Sequence, residues 1–304
     1  MRRRRIVFGA AILSMIVLGL GVLAVRRTAD SAKGADSVKS RGLSPSPSRV
    51  LLVGDSLAYQ SSGYFKSILA GDGATAYTAT YGGTALCDWL PILPALLRQS
   101  RPSVVELEFY GDHFTPCSTR GTSASHPLTK AYLVENYAAA ARASAIDIRA
   151  AGARAVWVVA PVSSSNDPLP LLIAKAEYGA SRQIVPSILD NAGSYVLAGG
   201  KFTRSLPCLT WEPCPPIDGQ HGMAIVRSPD GLHFCPVSVT GAKGQVGRCP
   251  VWSSGAWRFA AAMAGPVVGS VSLSNPPTKP PLGLPISHER PGPVSSTSRA
   301  NSSP

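Results

Sequence analysis

The sequence predicts an α/β domain built on a parallel sheet with helices on both faces, occupying residues 49–266 of a 304-residue chain. Three observations predict it. Val50-Leu-Leu-Val53 is a short all-apolar run closed by Gly54, the pattern of a strand buried on both faces. Further strand-like runs follow at Val104–Tyr110, apolar apart from two glutamates, and at Ala155–Ala160, each stopped by Gly or Pro. Stretches of helical length and composition separate them, and strands alternating with helices imply right-handed crossovers and a parallel sheet.

Taken in order, the strand at 49–53 is followed by a helix-compatible stretch from Leu57 to Ala70. Ala74 to Tyr81, rich in Thr and Tyr, reads as a second strand and is broken by Gly82-Gly83. Asp88 to Gln99 is helix-compatible, although Pro91 and Pro94 oppose it. Val104 to Tyr110 is the third strand, ended by Gly111. Leu128 to Ala151 is alanine-rich and free of internal Gly and Pro, a strong helix, closed by Gly152. Ala155 to Ala160 is the fourth strand. Pro170 to Asp190 reads as a helix interrupted by Gly179 and Pro186, Tyr195-Val-Leu197 as a short fifth strand, and Trp252 to Ala264 as the closing helix. In such a sheet the carboxyl ends of the first three strands converge on one rim. That rim would gather Ser56, Gly82-Gly83 and Gly111-Asp112-His113.

The flanks differ in character. Residues 6–25 are uncharged and nearly all apolar; as a helix they would rise about 30 Å, the depth of a bilayer core. A secretory signal has a shorter apolar region and a small-x-small cleavage site, whereas this run ends in Arg26-Arg27. An uncleaved anchor over residues 1–27 is the favoured expectation. Arg2 to Arg5 outnumber the two arginines behind the span, which puts the amino terminus in the cytoplasm and the domain outside. Residues 28–48 read as a flexible linker ending in Ser44-Pro-Ser-Pro-Ser48, and 267–304 as a disordered Pro/Ser-rich tail.

Charge follows the same division. The formal net charge is +12, but residues 1–49 alone hold ten basic and two acidic residues, so only +4 remains for the rest. With no dense basic stripe in the domain, the charge speaks for membrane topology rather than nucleic-acid binding. No phosphate-cradling glycine loop and no Cys-x-x-Cys or clustered-His metal spacing occurs, so neither a cofactor nor a metal is expected. Oligomeric state is not encoded in any pattern.

All six cysteines, Cys87, Cys117, Cys208, Cys214, Cys235 and Cys249, fall within the domain. An even number in a domain expected outside the cytoplasm favours disulfides over free thiols. Proximity and topology favour Cys208–Cys214 and Cys235–Cys249, leaving Cys87–Cys117 to join the loops after the second and third strands.

The chemistry centres on Gly54-Asp55-Ser56. By itself this is a common Ser N-cap after a glycine turn. It also places a hydroxyl at a strand's carboxyl end and a helix start, where backbone N–H groups stabilise an anion. Five histidines exist. His126 and His221 lie in polar loops and His288 in the tail, positions where solvated histidines are ordinary. His233 stands in Ser228-Pro-Asp-Gly-Leu-His-Phe-Cys-Pro236, just before the closing helix. The Asp230-x-x-His233 spacing lets the carboxylate fix one imidazole tautomer while the other ring nitrogen reaches a serine. A serine hydroxyl is a poor nucleophile until such a base takes its proton, so each half supplies what the other lacks.

With these pieces the chain resembles the SGNH, or GDSL-type, hydrolase superfamily, and more narrowly its membrane-anchored actinobacterial members. The resemblance covers about 49–266 through Gly54-Asp55-Ser56, Gly82 or Gly83, Gly111-Asp112-His113 and Asp230-Gly-Leu-His233. It implies a flavodoxin-like three-layer α/β/α sandwich with a five-stranded parallel sheet, Ser56 as nucleophile, His233 as base and Asp230 as its orienter. It further implies an oxyanion hole from the Ser56 N–H, a Gly82 or Gly83 N–H and an Asn side chain from the third block. There the chain departs from the pattern: it carries Asp112 and His113, and no Asn lies between Ser56 and Asn136. His113 could donate in place of Asn, Asp112 could be protonated or turned away, or activity could be reduced or lost.

The function expected is an extracytoplasmic serine esterase acting through a Ser56 acyl-enzyme on O-acyl esters of cell-envelope glycans or lipids. O-acyl transfer would use the same residues, and an envelope-binding protein that keeps the fold without catalysis is the reading from another class. Trp89, Trp211, Trp252 and Trp257 could line a glycan cleft; Trp252 and Trp257 have the closing helix's apolar company and read as packing, which leaves Trp211 as the favoured contact.

Overall fold

The computed structural model describes residues 48–125, 127–210, 212–214, 221–239, 241 and 246–268. The expected membrane span, the linker up to 47 and the tail beyond 268 lie outside the described residues. Among the described residues no helix is long and apolar enough to cross a membrane.

Five parallel strands form one sheet in the order β2-β1-β3-β4-β5. They are β1 (Arg49–Gly54), β2 (Thr75–Thr80), β3 (Val104–Glu108), β4 (Arg154–Val158) and β5 (Ser187–Asp190). β1 and β3 lie inside the sheet, and both are buried almost throughout. Alternate residues of each strand point to opposite faces, and a separate core forms on each. Val50, Leu52, Val104, Val156 and Val158 meet α1 (Ser56–Gly71) and α6 (Ser254–Val268) on one side. Leu51, Val53, Val105, Leu107 and Trp157 meet α3 (Leu93–Ser100), α4 (Lys130–Ala150) and α5 (Leu169–Ser181) on the other. Helices thus cover both faces, giving three layers.

Three expectations need correction. The stretch 88–99 is not one helix but two, α2 (Leu86–Trp89) and α3, separated around Pro91. Proline has no N–H and is tolerated only in a helix's first turn, which is where Pro94 sits in α3. The fifth strand is Ser187–Asp190, pairing with β4 from Ala155↔Ser187 to Val158↔Asp190, not Tyr195–Leu197. The helix expected over 170–190 ends at Ser181, and Pro186 stands just before the strand instead of interrupting a helix. Residues 192–196 form a 3₁₀ turn, and Leu197–Ala198 (β6) pairs antiparallel with Lys201–Phe202 (β7) in a small hairpin outside the main sheet. A second antiparallel pair joins β8 (Ser205–Pro207) to β9 (Met223–Ile225).

Disulfides join Cys87 to Cys117, Cys208 to Cys214, and Cys235 to Cys249. The Cys208–Cys214 loop is also tied to α6 by a buried ion pair. Arg258 Nη2 lies 2.5 Å and Nε 3.1 Å from the two Glu212 carboxylate oxygens, and Nη2 also donates to the Pro207 carbonyl.

Candidate active site

The nucleophile's position follows from the end of β1. Gly54 is register partner to both Thr80 and Glu108, and a Cβ there would stand 2.5 Å from the Glu108 carbonyl oxygen and from Ala58 Cβ. Only glycine lets α1 start so close to β3. Asp55 caps the helix: its Oδ1 accepts the Leu57 N–H at 2.9 Å and its Oδ2 the Tyr110 N–H at 2.6 Å. Ser56 is the first helical residue and is buried to 7 % exposure.

His233 arrives on the loop between β9 and α6. That loop is held tightly: Ser228 N–H donates to the His233 carbonyl at 2.7 Å, and Ser164 N–H to that of Gly231 at 2.8 Å. Gly231 has φ +73°, a backbone state favouring glycine, and a Cβ there would run into Ser164. Phe234 N–H donates to Gln60 Oε1 at 2.7 Å, which ties the loop to α1 one turn past the serine.

The three expected residues come together in line. Ser56 Oγ lies 3.0 Å from His233 Nε2, and His233 Nδ1 lies 2.7 Å from Asp230 Oδ2. With the ring proton on Nδ1, where the carboxylate accepts it, Nε2 is the acceptor for the serine hydroxyl. Burial acts to raise the Asp230 carboxyl, but the hydrogen bonds from the His233 ring and from the His233 and Leu232 N–H groups outweigh it and hold it well below the usual carboxylate range. Asp230 is therefore the ionised partner of the dyad.

The residues expected around the oxyanion are placed as follows. The Ser56 N–H enters no hydrogen bond among the described residues, so it is open toward the rim. A Cβ on Gly82 would lie 3.5 Å from Ser56 Cβ, putting its backbone beside the nucleophile; Gly83 follows at φ +73°. His113 turns its ring onto Phe114, centroids 3.9 Å apart, with Nδ1 3.4 Å from the Gly111 carbonyl. No hydrogen bond among the described residues joins His113 or the Asp112 side chain to Ser56. Burial, then the charges of Asp55 and Asp88, push Asp112 up to about 8. It is therefore neutral at pH 7, and the charge repulsion that an ionised Asp112 would bring is absent there.

Of the other expectations, Trp89 is buried and donates to Thr84 Oγ1, Trp252 packs edge-on against Tyr64, and Trp257 is core. Trp211, His126 and His288 lie outside the described residues, and His221 is exposed. No group of three or more metal-ligating side chains gathers among the described residues. Sequence reasoning missed Glu108 and Gln60. The available signal for Glu108 was a pair of charged residues, Glu106 and Glu108, in a strand whose other members are apolar, a position where carboxylates are rare without a specific partner.

No protein-family model matches the chain, and no curated protein matches it by sequence. Among solved structures it is similar to TesA at 22% identity, covering 60% of this chain and 87% of that one, with a TM-score of 0.37. It is similar to the lipase/acylhydrolase from Enterococcus faecalis at 15% identity, covering 73% and 96%, TM-score 0.43. A GDSL-like lipase from Bacteroides thetaiotaomicron aligns at 13% identity over 73% and 87%, TM-score 0.40. At these scores the chemical reading rests on the geometry of Ser56, His233 and Asp230.

Proposed function

We propose that the chain is a serine ester hydrolase of SGNH type. The observation that carries this is the line from Ser56 Oγ to His233 Nε2 at 3.0 Å and on from Nδ1 to Asp230 at 2.7 Å, with the hydroxyl at a helix N-terminus. Ser56 Oγ attacks the ester carbonyl carbon while its proton passes to His233 Nε2. Negative charge forms on the carbonyl oxygen, toward which the Ser56 N–H and the Gly82 backbone are disposed. The C–O bond to the alcohol then breaks, and His233 returns the proton to the departing oxygen. Water repeats the sequence on the acyl-enzyme, His233 taking its proton, and the free acid and Ser56 are released.

The substrates proposed are O-acyl esters of cell-envelope glycans or lipids. Three disulfides suit a domain outside the reducing cytoplasm, and an apolar span at 6–25 would hold it at the membrane. Transfer of the acyl group to a sugar hydroxyl uses the same machinery; exclusion of water from the acyl-enzyme separates the two outcomes. The deciding experiment treats the full chain with a serine-directed fluorophosphonate and a short nitrophenyl ester. Labelling and turnover, both lost in Ser56→Ala, are expected; a chain that neither labels nor hydrolyses is a non-catalytic binding protein.

A further inference from the structure

We propose that Glu108 is a positioning residue for Ser56, a buried side chain at the end of β3 that clamps the first turn of α1 and steadies Asp55 in its cap. The inference rests on the reading of Ser56 as nucleophile. Its basis is a set of bonds around Gly54. The Glu108 carbonyl accepts the Asp55 N–H at 3.2 Å, and its side-chain Oε2 reaches across the bare Gly54 to accept the Ala58 N–H at 2.8 Å. Asp55 in turn accepts the Leu57 N–H. The N–H groups of Asp55, Leu57 and Ala58 are thus all committed to these two residues, while that of Ser56 enters no hydrogen bond among the described residues. Two carboxyls fix the loose end of the helix and leave open the one N–H that chemistry needs. A helix start otherwise exposes all of its first N–H groups, and water would compete for them.

Both carboxyls are fully buried, and two ionised carboxylates side by side in a dry site are strongly unfavourable. Burial, and then the charge of the neighbouring Asp55, hold Glu108 well above the usual carboxylate range. Glu108 Oε1 has no hydrogen-bond partner among the described residues, so the side chain acts through Oε2 on the Ala58 N–H. Glu108 thus serves the helix through one accepting oxygen, a contact that a glutamine amide oxygen reproduces and a leucine does not. If Glu108 served only to fill the core, leucine would do as well.

The test compares Glu108→Gln with Glu108→Leu in the full chain, reading fluorophosphonate labelling rate, kcat and KM on a nitrophenyl ester, and amide hydrogen exchange of peptides spanning 54–60. The Gln variant is expected to keep wild-type labelling, turnover and exchange. The Leu variant is expected to lose about 10²-fold in kcat, the scale of a nucleophile misplaced by about an ångström, with little change in KM and with faster exchange at the start of α1. A Gln variant as impaired as the Leu variant, or a Leu variant with unchanged exchange, overturns the proposal. Should the Leu variant not fold, the Gln variant decides, its wild-type behaviour supporting the clamp and its loss refuting it. Should the wild type neither label nor turn over, the proposed hydrolase reading falls, and exchange alone decides the clamp.

Discussion

Asp230 holds His233 at two points: Oδ2 meets the ring Nδ1 at 2.7 Å, and Oδ1 accepts the backbone N–H of the same histidine at 3.0 Å. One carboxylate therefore fixes both the ring's tautomer and the turn that carries the ring. Asp230→Asn keeps an oxygen acceptor but removes the charge that stabilises the imidazolium. It should lower kcat by about 10²–10⁴-fold, the range expected when an orienting carboxylate is amidated, while the thermal midpoint changes little. Steady-state kinetics beside calorimetry would check both halves, and an unchanged kcat would rule out Asp230 as the orienter.

Asp112 gives a pH prediction. Held up to about 8 by burial and then by Asp55 and Asp88, it is neutral at pH 7 and ionises as pH rises through that value. A new negative charge beside the rim opposes the developing oxyanion, so kcat/KM should decline through about pH 8. Asp112→Asn cannot ionise and should remove the decline while retaining turnover at neutral pH. Profiles of the two proteins on one nitrophenyl ester would decide, and parallel alkaline limbs would clear Asp112.

The Cys235–Cys249 bridge closes a loop with a sequence separation of 14, beginning two residues after His233. Loops of this size are worth about 3 kcal/mol in chain entropy. The double substitution Cys235→Ser, Cys249→Ser should destabilise by about that amount in denaturant unfolding. It should also lower kcat, because the bridge tethers the segment carrying the base. The Cys208–Cys214 pair closes a shorter loop away from His233, and its removal should affect kcat less.

Stability should fall from acid toward mild alkali. Asp190 is raised to about 7 and Asp112 to about 8, both chiefly by burial, from a usual value of 3.8. Between the unfolded and folded values the folded chain binds more protons than the unfolded one, so stability declines as pH rises through this window. Asp230 has the opposite sign, contributing above its unfolded value and losing that contribution only in strong acid. Calorimetry at about pH 5 and about pH 8.5 should show the lower midpoint at the higher pH, and Asp190→Asn should flatten the slope.

The parts of the molecule legible in the sequence are those whose signal is local. Val50–Val53 is apolar because β1 is covered on both faces, and Gly54-Asp55-Ser56 announces a turn, a cap and a hydroxyl within three residues. Asp230 and His233 share one loop, so their spacing, read together with Gly54-Asp55-Ser56, suggested a dyad. What was missed depends on neighbours distant in sequence. Ser187–Asp190 is a strand only because β4 lies beside it; its half-exposed edge position leaves no apolar run to read. Glu108 has a purpose only because the register sets it beside a residue with no side chain, a pairing of positions 54 residues apart that no local pattern reveals.

The hydrogen bond between Ser56 and His233 spans 177 residues of sequence. The serine leads the domain and its base comes near the end, so a chain interrupted anywhere between them carries the hydroxyl and lacks the base. A ribosome or a translocation channel delivering this domain amino-terminus first therefore handles an inert chain until almost all of it has emerged. On the proposed mechanism chemistry begins only with the loop that carries His233, so the topology itself acts as a safety on the nucleophile.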